Sequence, residues 1–287
     1  MCIFEGQEEE FEFKGPSEIK LNELEILNGL MLDHNNLRDI SPLKELKELK
    51  ALKYLGLSHN QITDISPLKE LKELTDLDLS HNQLTDISPL KELKKLKGLD
   101  IHNNQITDIS PLKDLKELKE ITSLDLHKNQ ITDINLLKEF KGLKHLNLEK
   151  NQITDISPLK ELKGLVWLDL DNNQITDISP LKELKQLWDL SIDHNQINDI
   201  SPLKELKGLE CLSLDNIQLT DISPLKELKG LERLTLDNNQ ITDISPLKEL
   251  KYLRYLHIDS NPVPGDQIEA LKQALPNCNI YHESLRE

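Results

Sequence analysis

The residues best suited to chemistry in this chain are imidazoles set near carboxylates. His102 follows Asp100 by two positions, His127 follows Asp125 by two, and His145 falls in the next such segment. Imidazole nitrogen and carboxylate oxygen are the donors a zinc-like ion takes, provided several converge on one point. Cys211 is a possible nucleophile, but acidic neighbours raise a thiol's pKa and leave little thiolate. Asp171, Asp193, Asp215, Asp237 and Asp259 recur every 22 residues, close to Trp167 and Trp188, the two tryptophans of the chain. A row of carboxylates attracts either cations or a basic partner, and tryptophan is a frequent anchor of protein interfaces. A glycine-rich phosphate loop, a nucleophile elbow and a His-Glu-x-x-His helix are all missing. The expectation is no enzyme and no cofactor.

A fixed 22-residue spacing calls for a repeated element to carry it. That element is Leu-x-x-Leu-x-Leu-x-x-Asn-x-Ile/Leu. Its asparagine falls at Asn35, Asn60, Asn82, Asn104, Asn129, Asn151, Asn173 and Asn195, is replaced by Ile217, and returns at Asn239 and Asn261. Eight of the ten intervals are 22 residues and two are 25, so eleven units fill about 27–262. Within Leu77-Asp78-Leu79 the alternation has period two, which predicts a strand with its leucines inward and Asp78 outward. Ser88-Pro89 then reads as a helix N-cap followed by proline at the first helical position. Leu90 and Leu93 sit three apart, on one side of a tight turn. Neither piece buries its apolar side alone, so copies must stack. The predicted fold is an α/β solenoid with one parallel sheet, its strands about 4.8 Å apart and its face roughly 50 Å long.

Each asparagine is expected to turn inward and bond buried backbone groups. At Ile217 that amide is absent. Either Asn216 or water helps there, or the solenoid has a soft point; unpaired backbone groups would cost about 1–3 kcal/mol. The two longer units carry Leu49-Lys50-Ala51 and Leu118-Lys119-Glu120. Three extra residues are nearly one helical turn, which predicts true α-helix on the convex side.

The segment Leu74-x-x-Leu77-x-Leu79-x-x-Asn82-x-Leu84-x-Asp86-Ile87-x-Pro89-Leu90-x-x-Leu93 resembles a leucine-rich repeat of the 22-residue class. That class is known from the regulatory subunit of type-1 protein phosphatase and from bacterial internalins. The resemblance covers roughly four-fifths of the chain. It implies a curved right-handed array with short turns on the convex side. In the phosphatase-regulator family, aromatic and acidic residues of the concave face contact the partner, and the resemblance implies that mode here.

Scaffold positions barely vary, whereas the outward strand positions do, so function is expected on them. One outward column contains Tyr54, Trp167, Asp189, Cys211, Arg233 and Tyr255. The next contains Asp78, Asp100, Asp125 and Asp169. The third contains His102 and His127, then Asp171, Asp193, Asp215 and Asp237. Thirteen of the 33 outward positions are acidic and only Arg233 is basic, so this face holds −12 of the formal −16. Two aspartates about 5 Å apart repel by roughly 0.8 kcal/mol even in bulk water. Either these carboxylates are solvated strand-end residues, or the face suits a basic partner. The expected function is a protein-binding scaffold or regulatory subunit, with those aromatic, aspartate and arginine residues and Trp188 at the contact. The rival is a structural or divalent-cation-binding array. His102 and His127 are the metal candidates, but an open sheet supplies little to enclose an ion, and the expectation is no metal. His34, His59, His81 and His194 share one repeat position and read as scaffold.

The ends need caps. Residues 263–287 are expected to hold a helix with Asp266 as N-cap and Glu269 three later, then a short strand near Asn279-Ile280-Tyr281. Residues 1–26, with Phe11 and Phe13 alternating with charges, are expected to be an N-terminal cap or a degenerate repeat. The acidic balance argues against nucleic acid and against anionic membrane surfaces. The start Met-Cys-Ile-Phe-Glu lacks the basic and apolar regions of a secretory signal, and no apolar run is long enough to span a membrane. Cys2, Cys211 and Cys278 give no disulfide framework. A monomeric cytoplasmic protein is expected.

Overall fold

The first leucine of each Leu-x-Leu segment, with one residue on either side, forms a three-residue strand, and the Ser-Pro-Leu-Lys-Glu segments after the first repeat each form a single 3₁₀ turn. These observations come from a computed structural model, which describes residues 28–115 and 121–283. The N-terminal cap region, Cys2, Phe11, Phe13 and the insertion Leu118-Lys119-Glu120 lie outside the described residues. Eleven strands follow the repeats: β1 (Gly29–Met31), β2 (Tyr54–Gly56), β3 (Asp76–Asp78), β4 (Gly98–Asp100), β5 (Ser123–Asp125), β6 (His145–Asn147), β7 (Trp167–Asp169), β8 (Asp189–Ser191), β9 (Cys211–Ser213), β10 (Arg233–Thr235) and β11 (Tyr255–His257). A helix, α1 (Gly265–Ala274), and a last strand, β12 (Asn279–Tyr281), close the C-terminal end. All twelve strands form one open parallel sheet in sequence order.

Register is straight throughout. Leu77 pairs with Leu99 and Leu99 with Leu124, so every central leucine faces the same core. In one repeat Leu77, Leu79, Leu84, Ile87, Leu90, Leu93 and Leu96 are all buried. Phe140 occupies a leucine position and is also fully buried. The core is therefore a continuous apolar column shared between neighbouring coils.

The asparagines hold that column together. Asn82 Nδ2 donates to the carbonyls of Leu57 at 2.9 Å, Leu79 at 3.0 Å and Ser80 at 3.1 Å. Its Oδ1 accepts the N–H of Ile62 at 2.9 Å. One buried amide thus satisfies four backbone groups on two coils. At Ile217 no amide oxygen stands opposite the N–H of Ile197, which elsewhere in the array meets one. The backbone adjusts locally: Ile217 N–H reaches Asn239 Oδ1 at 3.2 Å, and Gln218 takes a φ of 60°.

Three expectations need correction. The segment Ser41–Glu48 beside the first insertion is an extended 3₁₀ helix rather than α-helix. It stacks on the 3₁₀ turn of the next repeat, whose Pro-Leu spacing it copies. Ser88 is the first residue of its turn, and the N-cap position falls on Ile87, which has no side-chain cap bond; one residue further out, Asp86 Oδ1 accepts the Ser88 N–H at 2.8 Å and its Oδ2 accepts the Ser88 hydroxyl at 3.0 Å. In α1 the N-cap is Pro264, and Asp266 sits inside the first turn. That acid still suits the positive end of the helix dipole.

Candidate functional site

The exposed face of the sheet presents three cross-strand columns, and pairing sets their order. Along one runs Trp167–Asp189–Cys211–Arg233–Tyr255, each residue a register partner of the next. Arg233 lies over the Tyr255 ring, 5.2 Å from its centroid, a cation–π pair. Trp188, just before β8, is 42% exposed, a large apolar surface left in solvent. Tyr54 stands at the other end of the same column, half-buried. Burial, with the charges of Asp33, Asp78, Asp100 and Asp76, raises its pKa.

A second column holds Asp78, Asp100, Asp125, Asn147 and Asp169 on successive strands. The aspartates of this column bond the backbone of their own coil, while Asn147 also reaches Asp125 on the coil before it. Asp78 Oδ1 accepts the Ser80 N–H at 2.9 Å, and Asp169 Oδ1 accepts the Asp171 N–H at 2.9 Å. From β8 onward this column becomes Ser191, Ser213 and Thr235. The small hydroxyls make room for the third column to reach across. Asp171 Oδ1 accepts the Asp193 N–H, Asp193 Oδ1 that of Asp215, Asp215 Oδ1 that of Asp237 and Asp237 Oδ1 that of Asp259, all at 2.6–2.7 Å. Ser191 and Ser213 add hydroxyl bonds to Asp171 and Asp193, each at 2.7 Å.

These aspartates are partly buried as well as partly exposed. Burial, then the charge of Asp171, pushes the Asp169 carboxyl up to about 7. Burial, then Asp171 again, pushes Asp193 up to about 7. Burial also raises Asp78, Asp171, Asp189 and Asp215. Near neutral pH the face therefore carries less charge than a formal −12. Cys211 is raised by burial and by Asp189, a setting for a thiol rather than a thiolate nucleophile.

The histidines form an arrangement that the sequence reading missed. His34, His59 and His81 stack on one another at 4.2 and 3.8 Å between ring centroids. His81 meets His102 edge-on at 4.8 Å, and His102 stacks on His127 at 4.0 Å. Five imidazoles from two different repeat positions thus make one row. The missing signal was backbone conformation: His34, His59 and His81 have φ of 52–59°, the left-handed region. That turn brings their rings alongside the outward column. It is also a position that histidine and asparagine fill readily.

The repeat architecture decides the family. A family model described as "Leucine Rich repeats (2 copies)" matches residues 27–70, 50–92, 72–114, 119–161, 189–227 and 229–273, and one described as "Leucine rich repeat" matches 142–197. The chain belongs to the leucine-rich-repeat family. It is similar to the crystal structure of an internalin, inlF, from Listeria monocytogenes: TM-score 0.76, 33% identity, covering 91% of this chain and 82% of that one. It is also similar to internalin C2 of the same organism, with TM-score 0.61, 39% identity and coverage of 66% and 82%. A leucine-rich-repeat protein of Leptospira interrogans gives TM-score 0.59 and 28% identity over 83% of this chain and 74% of that one. No curated protein matches. Leucine-rich-repeat proteins of this architecture are protein-interaction scaffolds. No helix among the described residues is long and apolar enough to cross a membrane.

Proposed function

We propose that this leucine-rich-repeat protein binds a partner protein along the exposed face of its sheet, with the contact centred on β7 to β11. The observation that carries the proposal is the continuous column Trp167–Asp189–Cys211–Arg233–Tyr255 beside the aspartate series, with exposed Trp188 next to it. Aromatic anchors flanked by charges are the composition of interface hot spots. The partner presents basic residues, because acids outnumber bases on this face and a complementary field speeds encounter and suppresses wrong partners. Asp78, Asp100, Asp125 and Tyr54 extend the acidic face toward the first repeats. The chain acts as a monomeric scaffold or regulatory subunit, and it neither catalyses a reaction nor binds nucleic acid.

The test is capture of partners from source-cell lysate at low and high salt, with the wild type and a Trp167→Ala/Trp188→Ala double variant. The expected result is a specific protein that is lost with the variant and weakened by salt. Capture indifferent to both would move the site to the 3₁₀ side or the caps.

A further inference from the structure

Where the imidazole row meets the aspartate column, three donors from two adjacent repeats converge. One ligand atom each from His102, Asp125 and His127 lies within 4.8 Å of the other two. All three residues are partly buried, which limits the water that competes for an ion. We propose that His102, Asp125 and His127 form a binding site for a single zinc-class divalent ion, one that takes two imidazoles, one carboxylate and water.

Chemistry narrows the ion. Calcium and magnesium take oxygen ligands. Two imidazoles and a carboxylate suit zinc and its late first-row neighbours. The distances also fit after a small adjustment. Donors around a tetrahedral zinc, at about 2.0–2.1 Å from the metal, stand roughly 3.3 Å apart. His102 and His127 lie on adjacent coils with stacked rings, 14° from parallel, so rotation about one ring bond has to turn their lone pairs toward a common point. That rotation is open to half-buried side chains on a sheet surface.

The surroundings support the site. Asp100 Oδ1 lies 2.5 Å from His102 Nδ1 and fixes the orientation of that ring, as outer-sphere carboxylates do for ligating histidines. Asp125 Oδ1 lies 2.7 Å from His127 Nδ1, a hydrogen bond that leaves Nε2 of His127 and Oδ2 of Asp125 as the atoms to meet an ion, unless the ion replaces the shared proton. Asn147 Nδ2 approaches both Asp125 Oδ2 at 3.4 Å and His127 Nδ1 at 3.3 Å from the next strand, closing one side. Asp100 and Asn147 are thus positioning residues, and the three ligands bridge β4 and β5 across the sheet.

Zinc titration of the metal-free full chain by calorimetry tests this, alongside cobalt titration followed by visible absorption. One equivalent of zinc is expected to bind, with calcium and magnesium failing to compete. His102→Gln and His127→Gln should each weaken binding by at least about tenfold, and Asp100→Asn by roughly 10–100-fold. His34→Gln and His59→Gln, farther along the same row, should leave it unchanged. If a glutamine variant fails to fold by circular dichroism, the cobalt spectrum of the unaltered chain decides. Intense tetrahedral d–d bands support the site, and a weak octahedral spectrum overturns it. No saturable zinc binding, binding unaffected by both glutamine variants, or equal competition by calcium would each overturn it as well.

Discussion

The Asp171 carboxylate accepts the backbone N–H of Asp193 at 2.7 Å, and so ties one repeat to the next through a group that burial discourages from ionising. The same bond recurs at the three following repeats. A protonated carboxyl still accepts through its carbonyl oxygen, so the tie survives loss of charge.

Stability should therefore rise in mild acid. Asp169 and Asp193 have folded pKa values of about 7 against an ordinary 3.8, so between those values the folded chain binds more protons than the unfolded one. Unfolding free energy then falls as pH rises across that window and levels off above it. Below about pH 4 the sign reverses, because Glu73 is held down to about 2 by hydrogen bonds from Lys95 and Lys53 and loses that stabilisation as it protonates. A maximum near roughly pH 4 is expected in thermal melts between pH 3 and 8.5. Asp193→Asn should flatten the neutral limb and raise the midpoint at pH 8. A midpoint that instead climbs steadily from pH 5 to 8 would contradict the buried-acid account.

The same protonation couples to binding. A basic peptide docked on this face favours ionised Asp169 and Asp193, so its binding should release protons below pH 7. Calorimetry of a Lys/Arg-rich peptide in buffers of different ionisation enthalpy reads that release directly. Equal apparent enthalpies in all buffers at pH 6.5 would mean these aspartates take no part in the contact.

Ile217 provides a built-in deletion of one asparagine amide. The Ile197 N–H should exchange with deuterium faster than its counterpart at Ile175, which bonds Asn195 Oδ1 at 3.0 Å. A difference of about 1–3 kcal/mol in local opening corresponds to roughly 5- to 150-fold. Asn173→Ala should cost about 1–3 kcal/mol in urea unfolding, and Ile217→Asn should recover part of that amount. Equal protection of the two amides would show that the local backbone adjustment fully compensates.

At the C-terminal end, α1 covers the last repeat with Ile268 and Leu271, both buried. Leu271→Ala should lower stability by about 2–5 kcal/mol. Lys272→Ala, on the exposed side, should stay within about 0.5 kcal/mol. Paired urea melts check this, and equal effects would mean the helix is not a cap.

Much of this was legible in the residues. The alternating leucines gave the strands, the asparagine spacing gave the stacking, and the period gave which aspartates share a column. What escaped depends on contacts between coils. Ser-Pro looks like a helix cap at any single site, but the N-cap position falls on Ile87, and the carboxylate that holds the first turn is Asp86, two residues before Ser88. Asp193 looks solvent-facing until Ser213 and the Asp215 N–H are seen to enclose it. His81 and His102 occupy different repeat positions, and only the left-handed backbone at His81 brings their rings together. The binding face is the least legible part, because an outward column fixes which residues share a surface without naming what covers it.

The serial ladder of amide bonds also sets how the molecule bears load. Pulled from its two ends, a stack of coils transmits tension through every junction equally and parts first at the weakest. The junction across which Ile197 lacks its amide acceptor divides the array unequally, with the longer segment on the N-terminal side and the last strands with α1 on the other. Rupture is expected to begin there, and pulling the chain from its two ends should release the short segment first.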